Sequence, residues 1–176
     1  MAEPAMAERR SPLAGWPGIA VPGLRVVELP FRTQLNLRAA KGFDPGVPLP
    51  AEPGATARAG DTLVLWLGPD EWLVTGPPDG TLLSTVEDAG SVVDVSAHRT
   101  TLLVAGAHAR DLLAHGCPLD LHPDVFPVGH CAQSTLARTQ VVLVRVEPDA
   151  YHVLVRASFA RYLAGWLDDA AVEYPS

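Results

Sequence analysis

LGPDEWLV at residues 67–74 and VEPDAYHVLV at residues 146–155 carry one signature: an apolar run, a Pro-Asp turn, an aromatic residue and a second apolar run. Proline pre-sets φ and aspartate bonds to its own backbone, so Pro69-Asp70 and Pro148-Asp149 each fold the chain into a hairpin. A helical pattern follows each hairpin, and Pro69 lies 79 residues before Pro148. Two related α+β halves, each with antiparallel strands and a helix on one face, explain this order better than a doubly wound parallel sheet.

Working outward, LRVVEL from Leu24 and RTQLNLRA from Arg32 predict half-buried strands, since Leu35 and Leu37 alternate with Gln34, Asn36 and Arg38. Residues 42–60, GFDPGVPLPAEPGATARAG, are punctuated by Pro and Gly and predict a long loop forming a surface lobe. Leu63, Leu65 and Leu67 share one side of the first hairpin. Leu82, Leu83, Val86 and Ala89 at helical spacing predict a short helix stopped by Gly90. VVDVS and RTTLLVAG are strands. AHARDLLAHG is a helix with Ala109, Leu112 and Leu113 inward, ended at Gly116 and Pro118. CPLDLHPDVFPVGH is too interrupted for a regular element, and STLARTQVVLVRVEPDAYHVLVR supplies further strands. The last helix starts near Ser158, with Phe159, Leu163, Trp166 and Leu167 as its apolar stripe.

The domain reading is therefore a flexible or partner-ordered tail over residues 1–23 and one compact unit over 24–174, made of halves at 24–90 and 91–174. The tail contains Trp16, either an anchor on its own domain or an aromatic plug in another subunit. The full 176 residues suffice for one well-buried domain but not for a flavin or nicotinamide dehydrogenase with its own substrate domain. A net charge of −7 argues against gripping nucleic acid, and no apolar run is long enough to span a membrane. Glu3, Glu8, Arg9 and Arg10, followed by Pro12, Pro17 and Pro22, leave no apolar secretory core, so two reduced cysteines in the cytoplasm are expected.

The chemistry-bearing clusters are weak. Asp94, Ser96 and His98 in VDVSAHRT are the residue types of a hydrolase triad, but in a strand each two-residue step separates them by about 6.6 Å, and Ser96 sits in no G-x-S-x-G elbow. The local reading has Asp94 and Ser96 organise a turn, while His98 and Arg99 bind locally or meet a partner. His108, His115, Cys117, His122, His130 and Cys131 all offer donor atoms, without an H-E-x-x-H pair or a C-x-x-C hook. His130 and Cys131 are adjacent, and adjacent strand residues face opposite ways. No G-x-G-x-x-G or G-x-x-x-x-G-K-[ST] loop is present to cradle a nucleotide, and nothing fixes Asp168 and Asp169 in facing acid and base positions.

LGPDEWLV, VVDVSAHRTTLLVAG, HGCPLDLHP, CAQSTLARTQVVL and SFARYLAGWLDDA, in that order over most of residues 60–170, resemble the gamma subunit of heterotetrameric sarcosine oxidase. The resemblance implies a fold like the folate-binding domain of the glycine-cleavage aminomethyltransferases. It also implies a non-catalytic subunit of a complex that demethylates sarcosine to glycine, passing the one-carbon unit to tetrahydrofolate or releasing formaldehyde, with production of hydrogen peroxide. By the same resemblance the chain holds no cofactor. FAD, FMN, NAD and zinc belong to partner subunits, and the alpha subunit is the direct partner beside beta and delta. No catalytic, cofactor or metal residue is carried over. Trp16, Phe43, His98, Arg99, His122 and Phe126 are the expected interface residues, and Trp72, Tyr151 and Trp166 the expected core aromatics. The rival readings are a free-standing folate-binding one-carbon module and a hydrolase using Ser96 and His98.

Overall fold

The computed structural model describes residues 9–40, 44–79, 81–86 and 91–174. Its strands are β1 (Ile19–Val21), β2 (Leu24–Leu29), β3 (Thr33–Arg38), β4 (Thr56–Ala59), β5 (Thr62–Gly68), β6 (Glu71–Gly76), β7 (Ser91–Asp94), β8 (Arg99–Ala105), β9 (Cys131–Leu136), β10 (Thr139–Glu147) and β11 (Ala150–Arg156). The helices are α1 (Thr81–Val86), α2 (Ala109–Ala114) and α3 (Ala160–Ala171), the last entered through a 3-10 turn at Ala157–Phe159. The six-stranded sheet runs β1-β2-β8-β11-β10-β9 and the five-stranded sheet β4-β5-β6-β3-β7, with neighbours antiparallel throughout. The α+β class expected from the sequence is the observed one.

Strand alternation sorts the core into three clusters. On β11, Tyr151, Val153 and Val155 face one side of the six-stranded sheet, where they meet Leu112, Leu113, Leu163 and Leu167 of α2 and α3. Leu154 faces the other side, joining Val142 and Val144 against Leu63, Leu65 and Leu73 of the five-stranded sheet. The outer face of that second sheet buries Leu35, Leu37, Val64, Trp72 and Val74 with Leu82 and Val86 of α1. The molecule is thus layered helix, sheet, sheet, helix.

The two orders are images of one another, with β4, β5, β6, β3 and β7 corresponding to β9, β10, β11, β8 and β2. Leu63 pairs with Thr75 and, 79 residues on, Val142 pairs with Leu154. The register break between Trp66 and Gly68 recurs between Arg145 and Glu147. Strands β2–β6 and β7–β11 repeat one arrangement, but the two sets do not form separate sheets. The first strand of each, β2 or β7, crosses to the sheet built by the other half, pairing with β8 or β3.

Three further expectations are corrected. Residues 42–60 are not wholly loop, because Thr56–Ala59 forms an edge strand against β5. Within residues 9–23 the lead-in is built into the domain: Leu13 is buried in the helix-side core and β1 adds a strand beside β2. Apolar burial and a strand edge needing partners fix a segment whose composition alone lacks a period. Phe159 does not join the buried stripe of α3 but stays 47% exposed, since the 3-10 turn before the helix rotates it off that face. Phe43, Ala89 and Gly90 lie outside the described residues.

Candidate functional site

The segment carrying the triad-like residues is the crossover from β7 to β8. The Asp94 carboxylate accepts a hydrogen bond from the Ser96 amide at 2.8 Å, closing an Asx turn, and Ser96, through its hydroxyl first and this amide second, holds the carboxyl below the usual range. The Ser96 hydroxyl oxygen accepts from the Gln34 amide at 2.9 Å. The Gln34 side chain in turn donates to the Arg99 carbonyl at 3.0 Å, so β3 is stapled to both ends of the crossover. His98 is exposed, and its carbonyl accepts from Ala157 at 2.9 Å. Ser96 therefore serves a backbone junction rather than a nucleophilic relay, as the local reading held. Replacing it by alanine leaves the Gln34 amide without its acceptor, and a loss of about 1–2 kcal/mol is expected, read as a lower urea midpoint at unchanged slope.

The histidines and cysteines are dispersed. His108 packs on Tyr174 with ring centroids 4.9 Å apart, His115 lies 3.7 Å from the Glu173 carboxylate, and His122 lies 3.6 Å from that of Asp124. Among the described residues no three histidine, cysteine or acidic side chains are grouped to hold a metal. Both cysteines are free and lie on opposite faces of the six-stranded sheet, Cys117 toward the helices and Cys131 between the sheets. Burial pushes the Cys131 thiol up to about 11, the reverse of nucleophile activation.

The expected interface residues do not form one patch. Trp16 is half-buried against the helix-side core and donates from Nε1 to the Asp168 carboxylate at 3.0 and 3.2 Å, which makes it an anchor on its own domain. His98 is exposed, and Arg99 after it is half-buried and lines a cleft on the six-stranded sheet. His122 is exposed on the 117–130 loop, beside Val125 at 58% and Val128 at 50% exposure. Phe126 is corrected. It is 5% exposed and belongs to the helix-side core. The buried Arg145 guanidinium holds the carbonyl of Phe126 at 2.9 Å and that of Pro148 at 2.6 Å, a long-range clamp that local composition does not reveal. Trp72 and Tyr151 are buried as expected, and Trp166 is partly buried.

Two clefts open at the ends of the inter-sheet space. One, of about 340 Å³, is lined by Arg99, Gln133, Gln140, Val142 and Arg156 among others. The other, of about 530 Å³, is lined by Arg32, Arg58, Asp61, Glu147 and His152 among others. Sequence reasoning singled out Arg99 alone of these, because the rest come from strands distant in sequence. Among the described residues neither cleft groups a serine, threonine or cysteine with a histidine or carboxylate, and the two stacked antiparallel sheets with their outer helices define a twinned-sheet α+β module. The same fold occurs in glycine cleavage system aminomethyltransferase T from Bartonella henselae, at TM-score 0.64 and 12% identity, covering 83% of this chain and 45% of that one.

The chain belongs to the sarcosine oxidase, gamma subunit family, whose model matches residues 37–173. It is 39% identical to sarcosine oxidase subunit gamma of Corynebacterium sp. (strain U-96), over 94% of this chain and 91% of that protein. It is 37% identical to the Arthrobacter sp. subunit, over 85% and 80%. Among solved structures it is similar to a chain of heterotetrameric sarcosine oxidase from Corynebacterium sp. U-96, with TM-score 0.86, 35% identity and coverage of 96% and 97%.

Proposed function

We propose that the chain is the small structural subunit of a heterotetrameric sarcosine oxidase. The observation that carries this reading is its near-complete match, in fold and sequence, to a chain of such an assembly. On this reading the oxidative demethylation of sarcosine to glycine takes place in the partner subunits, which hold FAD, FMN, NAD and zinc. The alpha subunit is the direct partner and beta and delta complete the complex, in the cytoplasm. His98 with Arg99, and His122 with the exposed Val125 and Val128, are the surfaces assigned to contact. Exposed apolar side chains beside polar ones are what an interface buries.

The test is size-resolved co-purification after co-expression with the alpha, beta and delta chains. The expected result is this chain eluting with the active flavoprotein at a fixed ratio. A chain that stays monomeric while the other three assemble overturns the reading.

A further inference from the structure

The internal repeat supplies a control for the Arg99 cleft. The registers that align Leu63 with Val142 also align Thr33, opposite Gly76, with Thr100, opposite Val155. They align Arg58, opposite Leu63, with Gln133, opposite Val142. One residue before Thr33 and Thr100 stand Arg32 and Arg99, so the two half-buried arginines occupy equivalent places, one in each cleft. Continuing the same alignment, Asp61 corresponds to Gln140 and Pro77 to Arg156.

The clefts are therefore alike along one wall and differ in charge balance. In the Arg32 cleft, Arg32 donates to the Asp61 carbonyl at 3.2 Å and to the Thr75 hydroxyl at 3.4 Å, and the carboxylates of Asp61 and, from β10 of the other repeat, Glu147 balance Arg32 and Arg58. In the second half, glutamine replaces the aspartate and arginine replaces the proline. Arg99 and Arg156 oppose each other across β8 and β11, and no acidic residue lines the cleft. Glu71, the acid whose charge acts on Arg99, is already held by Asn36 at 2.7 Å and Arg38 at 2.9 Å. Among the described residues no side-chain hydrogen bond or ion pair satisfies either guanidinium. Among the described residues two like charges, one of them half-buried, are held together with no carboxylate of the chain between them, although its net charge is −7.

We infer that the Arg99–Arg156 cleft receives an aspartate or glutamate side chain of a partner subunit, the planar guanidinium forks gripping its carboxylate. This inference rests on the subunit role proposed above. A protein-borne carboxylate fits better than a small free acid, because the cleft is polar and only half enclosed, whereas small-molecule sites enclose most of their ligand. Close to its two arginines in the chain lie exposed apolar side chains of the kind an interface covers. Phe159, three residues beyond Arg156, is 47% exposed, and Val93, 53% exposed, sits on the edge strand β7 opposite Asn36. A partner that covers those side chains together with the cleft removes water from the ion pair, which is the setting in which an arginine contact becomes strong.

The experiment uses the co-expressed complex and follows dissociation of this chain on dilution, by size-resolved separation at low and high salt. R99Q/R156Q is expected to raise the dissociation constant roughly 30-fold and to flatten its salt dependence. R58Q, which removes a charge from the balanced cleft, is expected to leave both unchanged. The exposed Arg156 is also changed alone, as R156Q, so that a folding defect from losing Arg99 does not decide the outcome. Wild-type and R99Q/R156Q chains dissociating alike overturns the inference and leaves the subunit reading intact. Equal weakening by R58Q overturns it as a general charge effect. Calorimetric binding of citrate or phosphate to the isolated chain, abolished in R99Q/R156Q while assembly is unaffected, overturns it in favour of a free anion. A wild-type chain that never enters the complex overturns both readings.

Discussion

A Gly106→Ala chain is expected to unfold about 4 kcal/mol more readily than the parent, seen as a urea midpoint displaced far below the wild-type value at similar slope. Gly106 ends β8 with φ +115°, a conformation that L side chains rarely adopt, and such strain costs about 1–3 kcal/mol. A Cβ there would also stand 2.3 Å from the Gly23 carbonyl oxygen and 2.7 Å from its carbon. Neither atom is the end of a flexible side chain. That carbonyl accepts the His108 amide at 3.0 Å, and Gly106 itself donates to the Asp149 carbonyl at 2.8 Å, so the start of β2, the end of β8 and the β10–β11 turn are fixed at one corner. Forcing them apart adds a second cost of about 1–3 kcal/mol. Gly60 is the internal comparison: its φ is +58°, but nothing lies within 4 Å of a built Cβ. Gly60→Ala is expected to cost only about 1 kcal/mol. Equal losses at the two positions would show that the corner relaxes and that the close approach carries no weight.

The local elements were legible because their causes are local. The alternation of Leu35 and Leu37 with polar neighbours names the buried face of β3, and the Pro-Asp turns at 69–70 and 148–149 name two hairpins. The 79-residue echo between them has its counterpart in matching registers and matching register breaks. The exchange of first strands was not legible. β2 and β7 have ordinary strand sequences, and their choice of partner depends on where β8 and β3 lie, which no pattern within ten residues encodes. Phe126 misled for the same reason: surrounded by Pro123, Asp124 and Pro127 it reads as surface, yet Arg145 on β10 holds its backbone from below. Conversely, Arg145 reads as an ordinary exposed strand residue and is 6% exposed. The candidate site was legible only at Arg99, since Arg156, Gln133 and Gln140 join it through strand pairing.

His152 gives the fold an acid sensitivity distinct from that of its carboxylates. The ring lies on β11 opposite Val144 and Leu103, in the cleft with Arg32 and Arg58. Burial, and then the two nearby guanidinium charges, push it down to about 4. The unfolded chain protonates this residue near about 6.5. Between those values the unfolded state takes up a proton that the folded state refuses, so acid favours unfolding. The stability associated with a neutral His152 is complete above the unfolded value and is lost as pH falls from about 6.5 toward 4. The ring is only partly enclosed, and with solvent screening the loss is on the order of 2–3 kcal/mol. The depressed carboxyls of Asp79 and Asp94 act below this window. Urea titrations of wild type and His152→Leu at about pH 7 and about pH 4.5 separate these contributions. The wild type is expected to lose most of that stability between the two conditions, and the leucine chain, with no proton to take up there and an apolar side chain beside Leu154 and Val144, is expected to lose little. Parallel losses in both chains would assign the acid sensitivity to the carboxylates and remove His152 from the account.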